Sequence, residues 1–465
     1  MQPEDRERLE RLERLTSGSK ELDQILGGGF PLHSLNILMG EPGSGKTILA
    51  ERLAFANVSS DRPIVYLTTL SEPLDKIVRY LEQFDFFDAD VLGEHIIYDS
   101  IGDDLAERGV AAVVPKLTEI ITALSPQMII IDSFKAIHDL STSIPEMRRM
   151  LYEAAGLLTA YATTVFLLGE YNDTHLASFP EFAVADGIVE LKRVKTTARD
   201  ERYLRVLKLR GSAYLEGLHH FRITDRGLDV FPRLTSPEVL ADYSIAIDRV
   251  PSGVEGVDRL LSGGLPRGTA TLVAGPTGSG KTTLSAMFAL AAARAGERTI
   301  YLNFQENPSQ LARSFRTLGA TDDDLTGIDF KYVSPVELQI DSILVDLFQR
   351  AAAGNVHRVV IDALGDLATA ADDKQRFHAY LYALSQHFSS AGINTLMTLE
   401  LTAQGGLRNE DARYSALCDT FLVLDVELQP TPTRTLRIVK ARGTPHPLEP
   451  HAFAITGNGI ELVGA

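Results

Sequence analysis

GPTGSGKT, Gly275 to Thr282, and GEPGSGKT, Gly40 to Thr47, decide the fold of this chain. Each fits the pattern G-x-x-x-x-G-K-[ST], follows an apolar strand pattern and precedes a helical one, which is the setting in which such a loop cradles phosphate. The glycines let successive backbone N–H groups turn inward on an anion, the lysine reaches the β and γ phosphates, and the hydroxyl after it can ligate Mg²⁺. The expected ATP-binding residues are Gly40, Pro42, Gly43, Ser44, Gly45, Lys46 and Thr47 in one loop. In the other they are Gly275, Thr277, Gly278, Ser279, Gly280, Lys281, Thr282 and Thr283.

Working outward, the two loops belong to a long internal repeat. SGSKELDQILGGGFP from Ser17 and SGVEGVDRLLSGGLP from Ser252 match at Ser-Gly, at the aspartate, at Gly-Gly and at the closing proline. The offset between Gly40 and Gly275 is 235 residues, and it also carries Tyr66 onto Tyr301 and Pro73 onto Pro308. A solenoid repeat would have a period of about 20 to 50 residues, so this is a duplicated domain. A length of 465 residues suits two or three cores. The expected division is a charged helical arm at 1–15, a first domain at 16–232, a connection at 233–248 and a second domain at 249–465.

Within the first copy NILM, IVYLTT, HIIYDS, MIIID and TVFLLGE read as buried strands separated by amphipathic segments, which predicts an α/β fold with a parallel sheet covered on both faces. Three further strands, around IVELKRV, YLRVLKLRG and HHFRITDRGLDVF, have hairpin-like spacing and extend the sheet in antiparallel fashion. The single cysteine, Cys418, excludes an intramolecular disulfide framework, and the charged N-terminus has no apolar core of a signal peptide. No run approaches the roughly 20 apolar residues of a membrane helix. A cytoplasmic protein without a membrane partner is expected. The net charge of −17 opposes non-specific attraction to nucleic acid.

Phosphoryl chemistry needs a metal ligand at the end of a neighbouring buried strand, and MIIID and RVVID place Asp132 and Asp362 there. The competing reading is a helix cap, favoured by Ser133 and countered by Ala363. Hydrolysis also needs a carboxylate to orient water at the end of the strand after the P-loop helix. In the second copy YLNFQENP supplies Glu306 with Gln305 beside it, whereas the constant offset puts Leu70 and Ser71 there in the first copy. Glu72 follows, and reads better as an acid at a helix start before Pro73. A lost base typically costs about 10² to 10⁴ in rate, so the first copy is expected to bind ATP and turn it over slowly, if at all. Near the end of each copy LKLRGS and VKARGT present Lys208 with Arg210 and Lys440 with Arg442, two apart and so on one side of a strand. They read either as fingers for a neighbouring subunit's γ-phosphate or as solvated edge-strand charges.

Taken together these motifs resemble the KaiC family of RecA-like ATPases in its tandem, circadian-clock form. The resemblance covers nearly the whole chain and rests on the block before each P-loop, the loops, the strand-end acid position, the Walker B aspartates and the K-x-R-G strands followed by FRIT or FAIT. It implies a duplicated RecA-like domain and a hexamer of two stacked rings with ATP and Mg²⁺ between neighbours. The family carries two consecutive glutamates where this chain has Gln305-Glu306 and Leu70-Ser71. Clock-type members autophosphorylate a Ser-Thr pair whose counterpart is Ser415 followed by Ala416, so a two-site cycle is not expected, and Ser415 reads either as a single phosphoryl acceptor or as an ordinary interface serine. No partner-docking tail is expected after ITGNGIELVGA. The implied function is a slowly hydrolysing ring, with serine autokinase activity at Ser415, that signals or keeps time with a protein partner the sequence does not name. The alternatives are a RecA/RadA-like DNA-dependent ATPase, disfavoured by the mixed charge of ELTAQGGLRNEDARYS, and a scaffold held together by ATP.

Overall fold

The computed structural model describes residues 12–69, 74–195, 200–235, 248–334, 338–369, 374–401, 414–427 and 432–463. The chain forms two compact units, Met1–Arg233 and Leu234–Ala465. Most of the expected N-terminal arm and of the connection lies outside the described residues.

In the first unit nine strands form one sheet: β1 (Leu35–Gly40), β2 (Ile64–Thr68), β3 (Ile96–Ser100), β4 (Met128–Asp132), β5 (Thr164–Gly169), β6 (Gly187–Lys195), β7 (Asp200–Leu209), β8 (His219–Thr224) and β9 (Gly227–Phe231). Their order is β9-β8-β7-β6-β1-β5-β4-β2-β3. Strands β1 to β6 pair in parallel, and β7, β8 and β9 add antiparallel to the edge at β6. The phosphate-loop strand is therefore central, flanked by apolar layers on both faces. Ile37 and Met39 of β1 join one hydrophobic cluster, while Leu38 between them joins the other. Period-two alternation in a fully buried strand produces this division.

The second unit repeats the topology with β10 (Ala270–Gly275), β11 (Arg298–Asn303), β12 (Ile328–Tyr332), β13 (Val356–Asp362), β14 (Asn394–Glu400), β15 (Thr420–Glu427), β16 (Thr433–Ala441), β17 (His451–Thr456) and β18 (Gly459–Leu462). Their order is β12-β11-β13-β14-β10-β15-β16-β17-β18. The α/β, mostly parallel duplicated fold with an antiparallel extension is the one expected. One detail differs from the sequence reading, because HHFRITDRGLDVF holds two strands and not one. Asp225-Arg226-Gly227 turns the chain, with the Arg226 N–H donating to Thr224 Oγ1 and Asp225 Oδ1 and Gly227 at φ +91°. A left-handed residue at that corner is cheap only for glycine.

The block that reveals the duplication is a packing device. In each copy a two-residue strand, Arg14–Leu15 or Arg249–Val250, pairs with Phe30–Pro31 or Leu265–Pro266 just before the phosphate-loop strand. The aspartate of the block accepts the serine N–H, Ser17 to Asp23 and Ser252 to Asp258, at 2.7 Å each. A side chain at Gly29 or Gly264 would press on the Leu15 or Val250 carbonyl at 2.2 or 2.4 Å. No helix among the described residues is long and apolar enough to cross a membrane.

Candidate nucleotide-binding and hydrolytic site

Each phosphate loop closes on the N-terminus of a helix, α1 (Lys46–Ala56) or α2 (Lys281–Arg294), whose first N–H groups face the loop. Gly45 and Gly280 sit at φ +103° and +102°, which an L side chain rarely adopts. A Cβ on Gly40 or Gly275 would lie 2.1 or 2.3 Å from the carbonyl of Leu191 or Leu424. Lys46 Nζ donates to the carbonyls of Gly40 and Glu41 at 3.0 and 2.9 Å, and Lys281 Nζ to those of Gly275 and Pro276 at 2.9 Å each. Burial lowers both ammonium pKa values, and the opposing charges are Glu170 and Asp132 for Lys46, Glu400 and Asp362 for Lys281.

In the first copy a pocket of about 280 Å³ is lined by Pro42, Gly43, Gly45, Lys46, Thr47, Ile48, Asp132, Ser133, Glu170 and Ile223. Thr47 Oγ1 donates to Asp132 Oδ2 at 2.9 Å, and Tyr66 Oη donates to the same oxygen at 3.0 Å. The helix-cap reading of Asp132 therefore fails. Ser133, at the head of the next helix (Phe134–Asp139), makes no side-chain cap bond either. Burial raises the Asp132 pKa against the bonds from Thr47 and Tyr66. A hydroxyl and a carboxylate in contact at the phosphate-loop edge form the hard-oxygen pair that suits Mg²⁺, which keeps waters and few protein ligands. A second layer lies beneath. Tyr66 stacks on Tyr98 at 5.3 Å, and Tyr98 Oη donates to Glu51 Oε2 at 2.7 Å.

In the second copy a pocket of about 320 Å³ is lined by Thr277, Gly278, Gly280, Lys281, Thr282, Thr283, Asn303, Gln305, Glu306, Asp362, Ala363, Glu400 and Ile455. Asp362 Oδ2 accepts from Tyr301 Oη at 3.1 Å and Oδ1 from Thr398 Oγ1 at 2.5 Å, which fixes its aim beside Thr282. Asn303 Oδ1 accepts the N–H groups of both Gln305 and Glu306, at 2.9 and 2.7 Å, and so shapes the turn after β11. Gln305 Nε2 reaches Asp366 at 3.2 Å. Both residues line the pocket, and Glu306 brings the carboxylate.

The positions expected to lack a base in the first copy, Leu70, Ser71 and Glu72, lie outside the described residues. Lys208, Arg210, Lys440 and Arg442 do not line the pocket of their own copy. Lys208 Nζ instead lies 3.4 Å from the carbonyls of Phe182 and Ala183, and Lys440 Nζ donates to those of Ser415 and Cys418 at 2.7 Å. Arg210 pairs with Asp186 at 3.0 Å and Arg442 with Asp419 at 3.4 Å, both arginines being largely exposed. Burial lowers the pKa of Lys208 and Lys440, with the neighbouring Arg210 or Arg442 adding to it.

Sequence reasoning gave no role to Glu170 and Glu400, although TVFLLGE and TLMTLE both end on the acid. Each follows or ends the strand between the phosphate-loop strand and the Walker B strand, and each lines a pocket. Thr277 Oγ1 donates to Glu400 Oε1.

The family model described as "ATPase: KaiC" matches residues 15–235 and 250–465. Similar curated proteins include the "Circadian clock protein KaiC2" of Synechocystis sp., 26% identical over 97% of this chain and 81% of the relative. The "Circadian clock oscillator protein KaiC" of Picosynechococcus sp. is 26% identical over 95% of this chain and 88% of its own length. The protein of the same description from Acaryochloris marina is 27% identical over 95% of this chain and 87% of its own length. With both matched regions falling on the two phosphate-loop units, this chain is a tandem member of the KaiC family of ATPases.

Proposed function

We propose that the chain is an ATP-binding, slowly hydrolysing ring protein in which the second copy carries most of the turnover and the first holds nucleotide. The observation that supports this best is the asymmetry of acids: Glu306 lines the second pocket, while Leu70-Ser71 occupies the matching positions in the first. In the reaction, Glu306 takes the proton of a water attacking the γ-phosphorus, and Lys281 and the loop N–H groups hold the phosphate oxygens. Gln305 donates to Asp366 and, as an amide, is too weak a base to take the water's proton. Thr47 with Asp132, and Thr282 with Asp362, would hold Mg²⁺, which neutralises phosphate charge when bound.

Lys208, Arg210, Lys440 and Arg442 act in this reading as fingers on a neighbouring subunit's γ-phosphate within a homohexameric double ring. Lys440 rests on the Ser415 carbonyl, so a phosphate drawn to Lys440 would approach Ser415, the candidate phosphoryl acceptor. A signalling or timing role accords with the relatives' description as circadian clock proteins, and the same reading takes the protein to act in the cytoplasm through a protein partner. The test is steady-state ATP turnover of the full chain with and without single-stranded DNA. Glu306→Gln is expected to remove most turnover, about 10²-fold or more, and DNA to change nothing. Turnover that survives Glu306→Gln, or that DNA stimulates, would refute the reading.

A further inference from the structure

The first copy is short of a base only if the strand after the P-loop helix is the sole place a carboxylate can come from. Among the described residues that line its pocket there are two carboxylates, Asp132 and Glu170. Asp132 is engaged by Thr47 and Tyr66 and belongs to the metal pair. Glu170 immediately follows β5, which runs between β1 and β4, so its backbone emerges between the phosphate loop and the Walker B strand. It is exposed on the pocket wall, and its charge bears on Lys46 and on Asp132.

Comparison of the copies separates Glu170 from its counterpart. Glu400 accepts from the hydroxyl of Thr277 and so closes onto the phosphate loop, in a pocket where Glu306 already supplies a carboxylate. Glu170 and Glu400 correspond by their place at the end of equivalent strands, and by the 235-residue offset of the phosphate loops Pro42 stands where Thr277 stands; a prolyl ring has no hydroxyl to donate. The first copy therefore lacks the loop donor that engages its glutamate, as well as the strand-end acid that would make that glutamate redundant.

We infer that Glu170 is the catalytic base for the slow ATP hydrolysis of the first copy. This deepens the reading above and rests on it, since it takes the first pocket to bind ATP. The water oxygen attacks the γ-phosphorus, and the bond from that phosphorus to the β–γ bridging oxygen breaks with its electron pair remaining on ADP. The water proton passes to the Glu170 carboxylate and from there to solvent. ADP and inorganic phosphate are the products. A base on the β5 side approaches from a different wall than Glu306 does in the second copy, so the two copies hydrolyse ATP with differently placed bases.

The experiment uses the full chain with the second phosphate loop disabled by Lys281→Ala. Nucleotide retained after gel filtration is released and separated, and conversion of bound γ-labelled ATP is followed in a single turnover. With Glu170 present the retained nucleotide is expected to be largely ADP. Glu170→Gln should slow conversion by about 10²-fold or more at unchanged occupancy, so that ATP replaces ADP in the retained pool. An unchanged rate and an unchanged ATP-to-ADP ratio would overturn the inference. So would retention of unhydrolysed ATP while Glu170 is intact, or loss of conversion in Glu72→Gln and not in Glu170→Gln. A chain that retains no nucleotide would instead overturn the reading of the first copy as an ATP site.

Discussion

Replacing Glu51 by glutamine is expected to stabilise the first copy at neutral pH and to change how its stability depends on pH. Glu51 lies one helical turn after Thr47 on α1, is 2% exposed, and accepts a hydrogen bond from Tyr98 at 2.7 Å. Burial pushes its carboxyl from 4.5 up to about 8, against the Tyr98 bond and with the Asp132 charge adding. Because the folded pKa is raised, the folded chain binds this proton more tightly than the unfolded chain does. The stability it contributes is greatest below pH 4.5 and is lost as pH rises toward about 8. At pH 7 that loss is about 3 kcal/mol, taking 1.36 kcal/mol per pH unit above 4.5. The amide introduced by Glu51→Gln would keep an acceptor for Tyr98 and bind no proton, but its N–H groups would need partners at about 1–2 kcal/mol. The net expectation is a gain of about 1–2 kcal/mol at pH 7, fading or reversing near pH 5. Peptide-resolved hydrogen exchange across α1 and β2 of the full chain, corrected for intrinsic rates, measures this at both pH values. A difference between variant and wild type that does not change from pH 5 to pH 8 would refute the reasoning.

Arg358 is 1% exposed, bonds Glu297 at 2.9 Å and the carbonyls of Pro251 and Phe288, and lies 4.6 Å over the Phe288 ring. Arg358→Ala should destabilise the second copy by about 3 kcal/mol, at the low end for a broken buried pair because Arg267 still holds Glu297, and urea denaturation followed by exchange reads the change. Lys46→Ala is expected to weaken ATP-dependent assembly more than Lys281→Ala does, by native mass, since the slower first site is the one that stays occupied by nucleotide; an ATP-independent monomer rules this out. Incubation with ATP and Mg²⁺ should add one phosphate per chain that disappears in Ser415→Ala, and intact mass that shows none leaves the second copy a plain ATPase.

Much of this architecture is legible in the sequence because the residues that build it are local. Leu35–Gly40 and Ala270–Gly275 are apolar nearly throughout, and Asp132 and Asp362 close apolar runs, so strand, loop, helix and acid can be placed in order. Strand order in space is not local. That β5 lies between β1 and β4 is a property of the folded topology, and only that placement turns Glu170 from a strand-end charge into a pocket wall. Glu51 is hidden for a related reason. A glutamate in mid-helix ordinarily reads as a solvated face, but Glu51 meets Tyr98 of β3, a strand that the folded sheet and not the sequence brings beside α1. The turn at Gly227 is visible as Asp-Arg-Gly, yet it sits inside a stretch that reads as one strand.

The two copies share a scaffold and differ in what stands behind the Walker B acid. Two residues before the pocket glutamate, Thr398 donates to Asp362, whereas the first copy has Leu168 at that spacing and gives Asp132 the Thr47 hydroxyl. Behind the tyrosine that bonds each acid, the second copy packs Phe330 and Phe315 around Tyr301, and Ala286 stands where the offset places Glu51. The first copy has the Tyr98–Glu51 pair in the corresponding layer. An apolar support stabilises by burial alone and is indifferent to pH, while a buried acid holding a proton opposes folding more strongly as pH rises. That acid sits on the helix whose first turn forms the phosphate site. Opening of α1 is therefore expected to become easier as pH rises in the first copy, a dependence that the second copy, with alanine at this position, does not have from this source.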